Sequence, residues 1–198
     1  CISLRPYNTF GIDVAADCLV TIENEADIKQ LVLSRRLQGA PFIVVGGGSN
    51  LVFTEHYRGT VVLMRNEGIR AVSVEGDEVL VEAQAGVPWA SLVEHCVEHD
   101  LHGLENLAGI PGTVGASPVQ NVGAYGVEAK DVIHLVRAYD VRTGELRVFT
   151  PRECRFGYRD SVFKHEWAGR YIIASVIYRL NREYTPNLEY RALSIAVG

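Results

Sequence analysis

Apolar and polar positions run in two different rhythms along this chain, and the change falls a few residues before Ile69. In the first part Leu19-Val20-Thr21-Ile22 reads as a strand. Asn24 then stands where a helix N-cap is wanted, and Ala26, Ile28, Leu31, Val32 and Leu37 recur roughly at helical spacing behind it. Phe42-Ile43-Val44-Val45 is an apolar run of buried-strand length. The three make a β-α-β unit, expected to form a first domain over residues 1–66.

From Ile69 onward the rhythm is that of strands and hairpins. Ala71-Val72-Ser73-Val74 and Val79-Leu80-Val81-Glu82-Ala83 flank a Glu75-Gly76-Asp77 turn. Pro88 suits the first turn of a helix carrying Trp89, Leu92, Val93, Cys96 and Val97, which should end near Asp100. Further strands are predicted at 133–141, 146–149 and 171–180. A second domain over residues 67–198 follows, built as a mixed sheet with helices, and the class is α+β.

Two glycine-rich segments interrupt these rhythms. Gly46-Gly47-Gly48-Ser49-Asn50 follows the second strand directly, which aims backbone amides beyond a strand end. The longer run, Ala108 to Gly126, holds five glycines and two prolines. Glycine brings main chain close to a ligand and proline fixes its path, so a long, weakly charged loop of this kind suits a polyanionic cofactor. Loops beyond about 12–15 residues are usually functional or disordered, and the low charge speaks against disorder. Two such loops suggest a dinucleotide. The Rossmann fingerprint is not matched, because Leu51 stands where its third glycine would be and Val52-Phe53-Thr54 reads as strand or turn. Ser49 and Asn50 offer hydroxyl and amide donors to a pyrophosphate, although both residue types also form ordinary turns.

Composition narrows the partners. A formal charge of −5, with lysine and arginine scattered, disfavours nucleic acid. No apolar run approaches the roughly 18–20 residues of a membrane span, and no secretory pattern opens the chain, so a cytoplasmic, monomeric protein is expected. Cys1, Cys18, Cys96 and Cys154 show no metal-ligand spacing and read as free thiols, with no metal site expected. A lipid-anchored Cys1 lacks any other membrane signal in its support. His95, His99 and His102 cluster at a helix end, where a solvated or capping role is the ordinary one.

Six ordered motifs add a resemblance. Asn8-Thr9-Phe10-Gly11-Ile12, Gly46 to Asn50, Gly103-Leu104-Glu105-Asn106-Leu107, Ile110-Pro111-Gly112-Thr113-Val114-Gly115, Gln120-Asn121-Val122-Gly123-Ala124-Tyr125-Gly126 and Cys154-Arg155-Phe156-Gly157-Tyr158-Arg159-Asp160-Ser161 occur in that sequence. Together they resemble the UDP-N-acetylenolpyruvoylglucosamine reductase family of bacterial peptidoglycan synthesis. The resemblance implies a two-domain FAD-binding fold like that of vanillyl-alcohol-oxidase-type flavoproteins, with noncovalent FAD between the domains. On that pattern Gly46, Gly47, Gly48, Ser49, Asn50, Pro111, Gly112, Thr113, Gly115, Ala116, Ser117, Gln120, Asn121 and Gly123 hold the cofactor. Tyr125, Tyr158, Arg159 and Tyr190 face a UDP-sugar substrate. The implied reaction passes hydride from NADPH through the flavin to an enolpyruvyl double bond.

Hydride addition there builds enolate-like charge on a carboxylate, which calls for a fixed cation, and Arg159 is the expected catalytic residue. The family's serine proton donor and its glutamate partner have no matched counterpart here. The expectation is therefore an FAD-binding, catalytically incomplete portion lacking a third, substrate domain. A different FAD oxidoreductase of the same fold and a non-catalytic nucleotide-binding module stay open as alternatives.

Overall fold

The computed structural model describes residues 1–49 and 51–185. Its first sheet holds β1 (Ile2–Ser3), β2 (Ala15–Ile22), β3 (Phe42–Val45) and β4 (Tyr57–Met64) in the order β1-β2-β4-β3. β1 is antiparallel to β2, whereas β2 and β3 both run parallel to β4. The intervening helix α1 (Glu25–Leu33) starts at a capping box: Asp27 N–H donates to Asn24 Oδ1 (3.0 Å), and Asn24 N–H donates back to Asp27 Oδ2 (3.2 Å). The helix stops short of the expected Leu37, which is nonetheless buried. β4 is the longest of the elements the sequence pattern did not predict. Its polar first half hides the buried Val61-Val62-Leu63-Met64, which becomes central because strands pair on both sides.

The second sheet begins with β5 (Ile69–Glu75) and β6 (Glu78–Gln84), a hairpin about Gly76 and Asp77. Helix α2 (Trp89–Glu98) follows, with Pro88 as its N-cap, and buries Trp89, Leu92, Val93 and Cys96 on one face. Then come α3 (Ser117–Gln120), a ribbon of β7 (Gly123–Ala124) and β8 (Val127–Glu128), β9 (Ile133–Asp140), β10 (Leu146–Phe149), α4 (Pro151–Cys154) and β11 (Tyr171–Asn181). Strand order is β10-β9-β11-β6-β5, and every pairing is antiparallel. The mixed sheet expected in this half is thus found in the first one. Short turns join β5 to β6 and β9 to β10, and such links produce antiparallel neighbours.

One apolar core runs from α1 and β4 into the second sheet and α2, while Leu4, Ala16, Val45, Phe53, Val61 and Leu63 form a smaller cluster within the first sheet. A charged clamp ties α1 to the second sheet. Arg137 on β9 bonds Glu25 of α1 (3.0 Å) and Glu82 of β6 (2.8 Å), and Glu82 also accepts from Arg70 (2.6 Å) and Ser175 (2.7 Å). Burial works to raise the Glu82 carboxyl, but the Ser175 and Arg70 bonds and the Arg137 charge outweigh it and hold it below the usual range.

Candidate functional site: a cavity between two glycine loops

The triple glycine leaves β3 and is gripped on both sides. A Cβ on Gly46 would lie 2.3 Å from Thr113 Oγ1, and one on Gly48 would lie 2.2 Å from the Tyr7 carbonyl oxygen. Gly48 also has φ +71°, which L side chains rarely adopt. Among the described residues the loop's bonds run through its carbonyls: Gly46 accepts from Arg65 (3.0 Å) and Gly48 from the Thr9 hydroxyl (3.4 Å).

The second loop is laced to the segment joining β6 to α2. Trp89 N–H donates to Gly112 O, Val114 N–H to Val87 O and Gly115 N–H to Ala85 O, each at 2.9 Å. The amides of Val114 to Ser117 are therefore committed inside the protein, so much of this loop's glycine and proline content serves close packing. Gly115 shows it directly, since a Cβ there would meet Ala85 Cβ at 2.8 Å. Ser117 turns inward too: its hydroxyl donates to Val114 O (2.8 Å) and shares a 2.7 Å bond with the Tyr178 phenol, whose pKa burial pushes up.

Where the loops meet they line a cavity of about 430 Å³. Of the residues singled out from the sequence, Gly46, Gly47, Gly48, Ser49, Gly112, Thr113, Gly115, Ala116 and Gln120 line it. Pro111, Ser117, Asn121, Gly123, Tyr125, Tyr158 and Arg159 do not, and Asn50 and Tyr190 lie outside the described residues. The sequence reading missed the opposite wall, where Phe163, Lys164, Trp167, Tyr171 and Ile173 close the space. Trp167 has its ring 5.5 Å from Phe163, 5.2 Å from Tyr171 and 4.4 Å from Phe149. The four-residue aromatic spacing 163-167-171 was the available signal, but only the path of the chain from α4 to β11 turns it toward the glycines.

Arg159 sits at the tip of a tight turn. Gly157 and Asp160 exchange backbone bonds (2.9 and 3.3 Å), leaving Tyr158 and Arg159 between them, with Arg159 at φ +50° and Tyr158 84% exposed. Its guanidinium donates to Gly123 O and lies 5.2 Å from the Tyr158 ring centroid. Lys164 Nζ donates to Arg159 O (2.8 Å), which joins the turn to the cavity wall. The Asp160 carboxyl is held low by the bond from His165, at 2.8 Å. At the end of α2, His99 is the C-cap with Nδ1 2.7 Å from His95 O, and His102 pairs with Glu105 at 2.7 Å. Cys1, Asp17 and His56 bring their ligand atoms within 4.8 Å of one another, and none of the three lines the cavity.

A mixed β-α-β sheet and an antiparallel sheet thus meet at a glycine-lined, aromatic-walled cavity. The sequence profile described as the FAD binding domain matches residues 16–150, and the chain belongs to that family. Among curated relatives it is similar to UDP-N-acetylenolpyruvoylglucosamine reductases. It is 49% identical over 189 residues to that of Pseudomonas syringae pv. tomato (96% of this chain, 56% of the relative). It is 48% identical over 195 residues to that of Neisseria meningitidis serogroup A (98% and 56%). The chain thus spans 56% of the length of these curated relatives. The crystal structure of UDP-N-acetylenolpyruvylglucosamine reductase from Thermus caldophilus matches with a TM-score of 0.73 at 28% identity, over 99% of this chain and 66% of that one. Cholesterol oxidase from Brevibacterium sterolicum, at 13% identity over 82% of this chain and 34% of that one, shares the fold with a TM-score of 0.61.

Proposed function

We propose that the polypeptide carrying these residues is an FAD-dependent oxidoreductase that reduces UDP-N-acetylglucosamine enolpyruvate with NADPH, in peptidoglycan precursor synthesis. The observation that carries this reading is the cavity where the two glycine loops meet. Gly46 packs directly on Thr113, where a Cβ would lie 2.3 Å from its hydroxyl, while Gly47 faces Gly112 at ordinary contact distance, so main chain lines the cavity on both sides. The fit to FAD is good. Backbone and small side chains suit a pyrophosphate and ribityl chain, and Trp167, Tyr171 and Phe163 suit a planar ring.

In this reading Gly46 to Ser49, together with Gly112, Thr113, Gly115 and Ala116, lie against the phosphates and ribityl chain, and Gln120 lies toward the flavin ring. Residues 1–66 and 67–198 form the two FAD-binding subdomains. Bound FAD would supply the passage of hydride between NADPH and the substrate double bond. Arg159 binds the substrate carboxylate through two parallel bonds and stabilises the charge that develops on it. Tyr158, exposed beside it, and Tyr125 line the same entrance. The protein is read as cytoplasmic and monomeric. Among the described residues no helix is long and apolar enough to cross a membrane.

Loss of one preorganised electrostatic donor costs about 10²–10³ in turnover. In the full-length enzyme, Arg159→Ala should slow flavin reoxidation by substrate to that extent and leave reduction by NADPH intact. Equal slowing of both half-reactions in stopped-flow traces would make Arg159 structural and remove it from the catalytic role.

A further inference from the structure

Asn121 is fully buried and left-handed, at φ 43° and ψ 61°, immediately after α3. Both ends of its side chain are spent on backbone. Nδ2 donates to Gly157 O (2.8 Å), and Oδ1 accepts from Lys130 N–H (2.9 Å). Gly157 opens the tight turn that presents Arg159, and Arg159 returns to Gly123 O, two residues past Asn121. The circuit is closed: Asn121 to Gly157, through the turn to Arg159, and back to Gly123. Lys130 lies just beyond β8, so the same amide also fixes the far end of the ribbon that begins at Gly123.

The left-handed region is costly for most residues, but asparagine tolerates it. Glycine would meet the backbone requirement but leave the Gly157 carbonyl and the Lys130 N–H without this partner, whereas the amide donates to the one and accepts from the other. We propose that Asn121 is a positioning residue for Arg159, setting the distance between the Gly157 turn and the β7–β8 ribbon, and is not a ligand of the cofactor. The proposal rests on the reading of Arg159 as the substrate-carboxylate cation.

The test is a double-mutant cycle in the full-length enzyme with the two half-reactions followed separately. Asn121→Ala should retain flavin in unchanged amount, keep reduction by NADPH, and slow reoxidation by substrate about tenfold or more. In an Arg159→Ala background the same change should add less than about twofold, because its effect passes through the missing guanidinium. Asn121→Asp keeps the acceptor toward Lys130 but loses the donor toward Gly157, and should be slow like the alanine variant. It carries the test if the alanine variant melts too low to assay. Full activity in Asn121→Asp, loss of flavin from Asn121→Ala, or additive effects with Arg159→Ala would each overturn the positioning role. If Arg159→Ala itself leaves reoxidation unchanged, the reading of the site fails first and this role falls with it.

Discussion

Gly123 is a glycine because Arg159 occupies the space a side chain would take. A Cβ there would lie 2.8 Å from Arg159 Nη1 and 2.8 Å from Val127 O. Gly123→Ala should therefore drive the guanidinium out of place, and a misplacement of about 1 Å can cost roughly 10²-fold in rate. Reoxidation by substrate measured on that variant should fall accordingly, with NADPH reduction spared. The four thiols divide just as sharply. Burial pushes the Cys96 and Cys154 thiols up to about 12, while Cys1 is exposed and Cys18 is partly so. Since the thiolate is the reactive form, alkylation at neutral pH should modify Cys1 and Cys18 and spare the other two until unfolding, as counted by mass spectrometry. Such residue-level facts divide by how local they are. The Asn24 cap was legible because capping is decided within four residues. The inward turn of Ser117 and the hydrogen bond from Asn121 to Gly157 were not, because the partners Tyr178 and Gly157 stand far away in sequence.

At the scale of elements, the clamp of α1 against β6 and β9 is the feature most open to measurement. The Glu82 carboxylate is buried, and removing a partner leaves charge poorly compensated, so Arg137→Ala should cost about 3 kcal/mol in urea unfolding. Because the folded-state pKa of Glu82 is depressed, the stability it contributes is present above the ordinary carboxylate range and is lost as pH falls through its folded value. The difference in stability between the native protein and Glu82→Gln should accordingly shrink with acidification below about pH 4.5. Gly48→Ala combines a left-handed backbone with a clash on Tyr7, and should destabilise the junction of the first loop by about 2 kcal/mol or more. Most elements were legible from periodicity alone, among them β3, β6, α2, β9 and β10. β4 was not, since its outer half is polar and its burial comes from strands on either side. The Arg159 turn was legible only through its motif, as two residues between Gly157 and Asp160 carry no periodicity.

For the whole molecule, the two glycine loops pointed to a ligand-binding place, and the fold adds the aromatic wall, which begins 37 residues beyond the end of the second loop. Neither half of the cavity is complete without the other, so the two are expected to hold FAD jointly and without a covalent bond. The direct measurement is to equilibrate the purified protein with FAD, remove the excess, record the visible absorption spectrum, and then denature with acid. The expected result is a flavin band at one equivalent per chain, released entirely to the supernatant on denaturation, and a much reduced band for Gly46→Val, whose Cβ would lie 2.3 Å from Thr113 Oγ1 and force the two loops apart. A colourless protein would contradict the site, as would an unaltered band in Gly46→Val, and yellow colour retained by the precipitated polypeptide would contradict noncovalent binding.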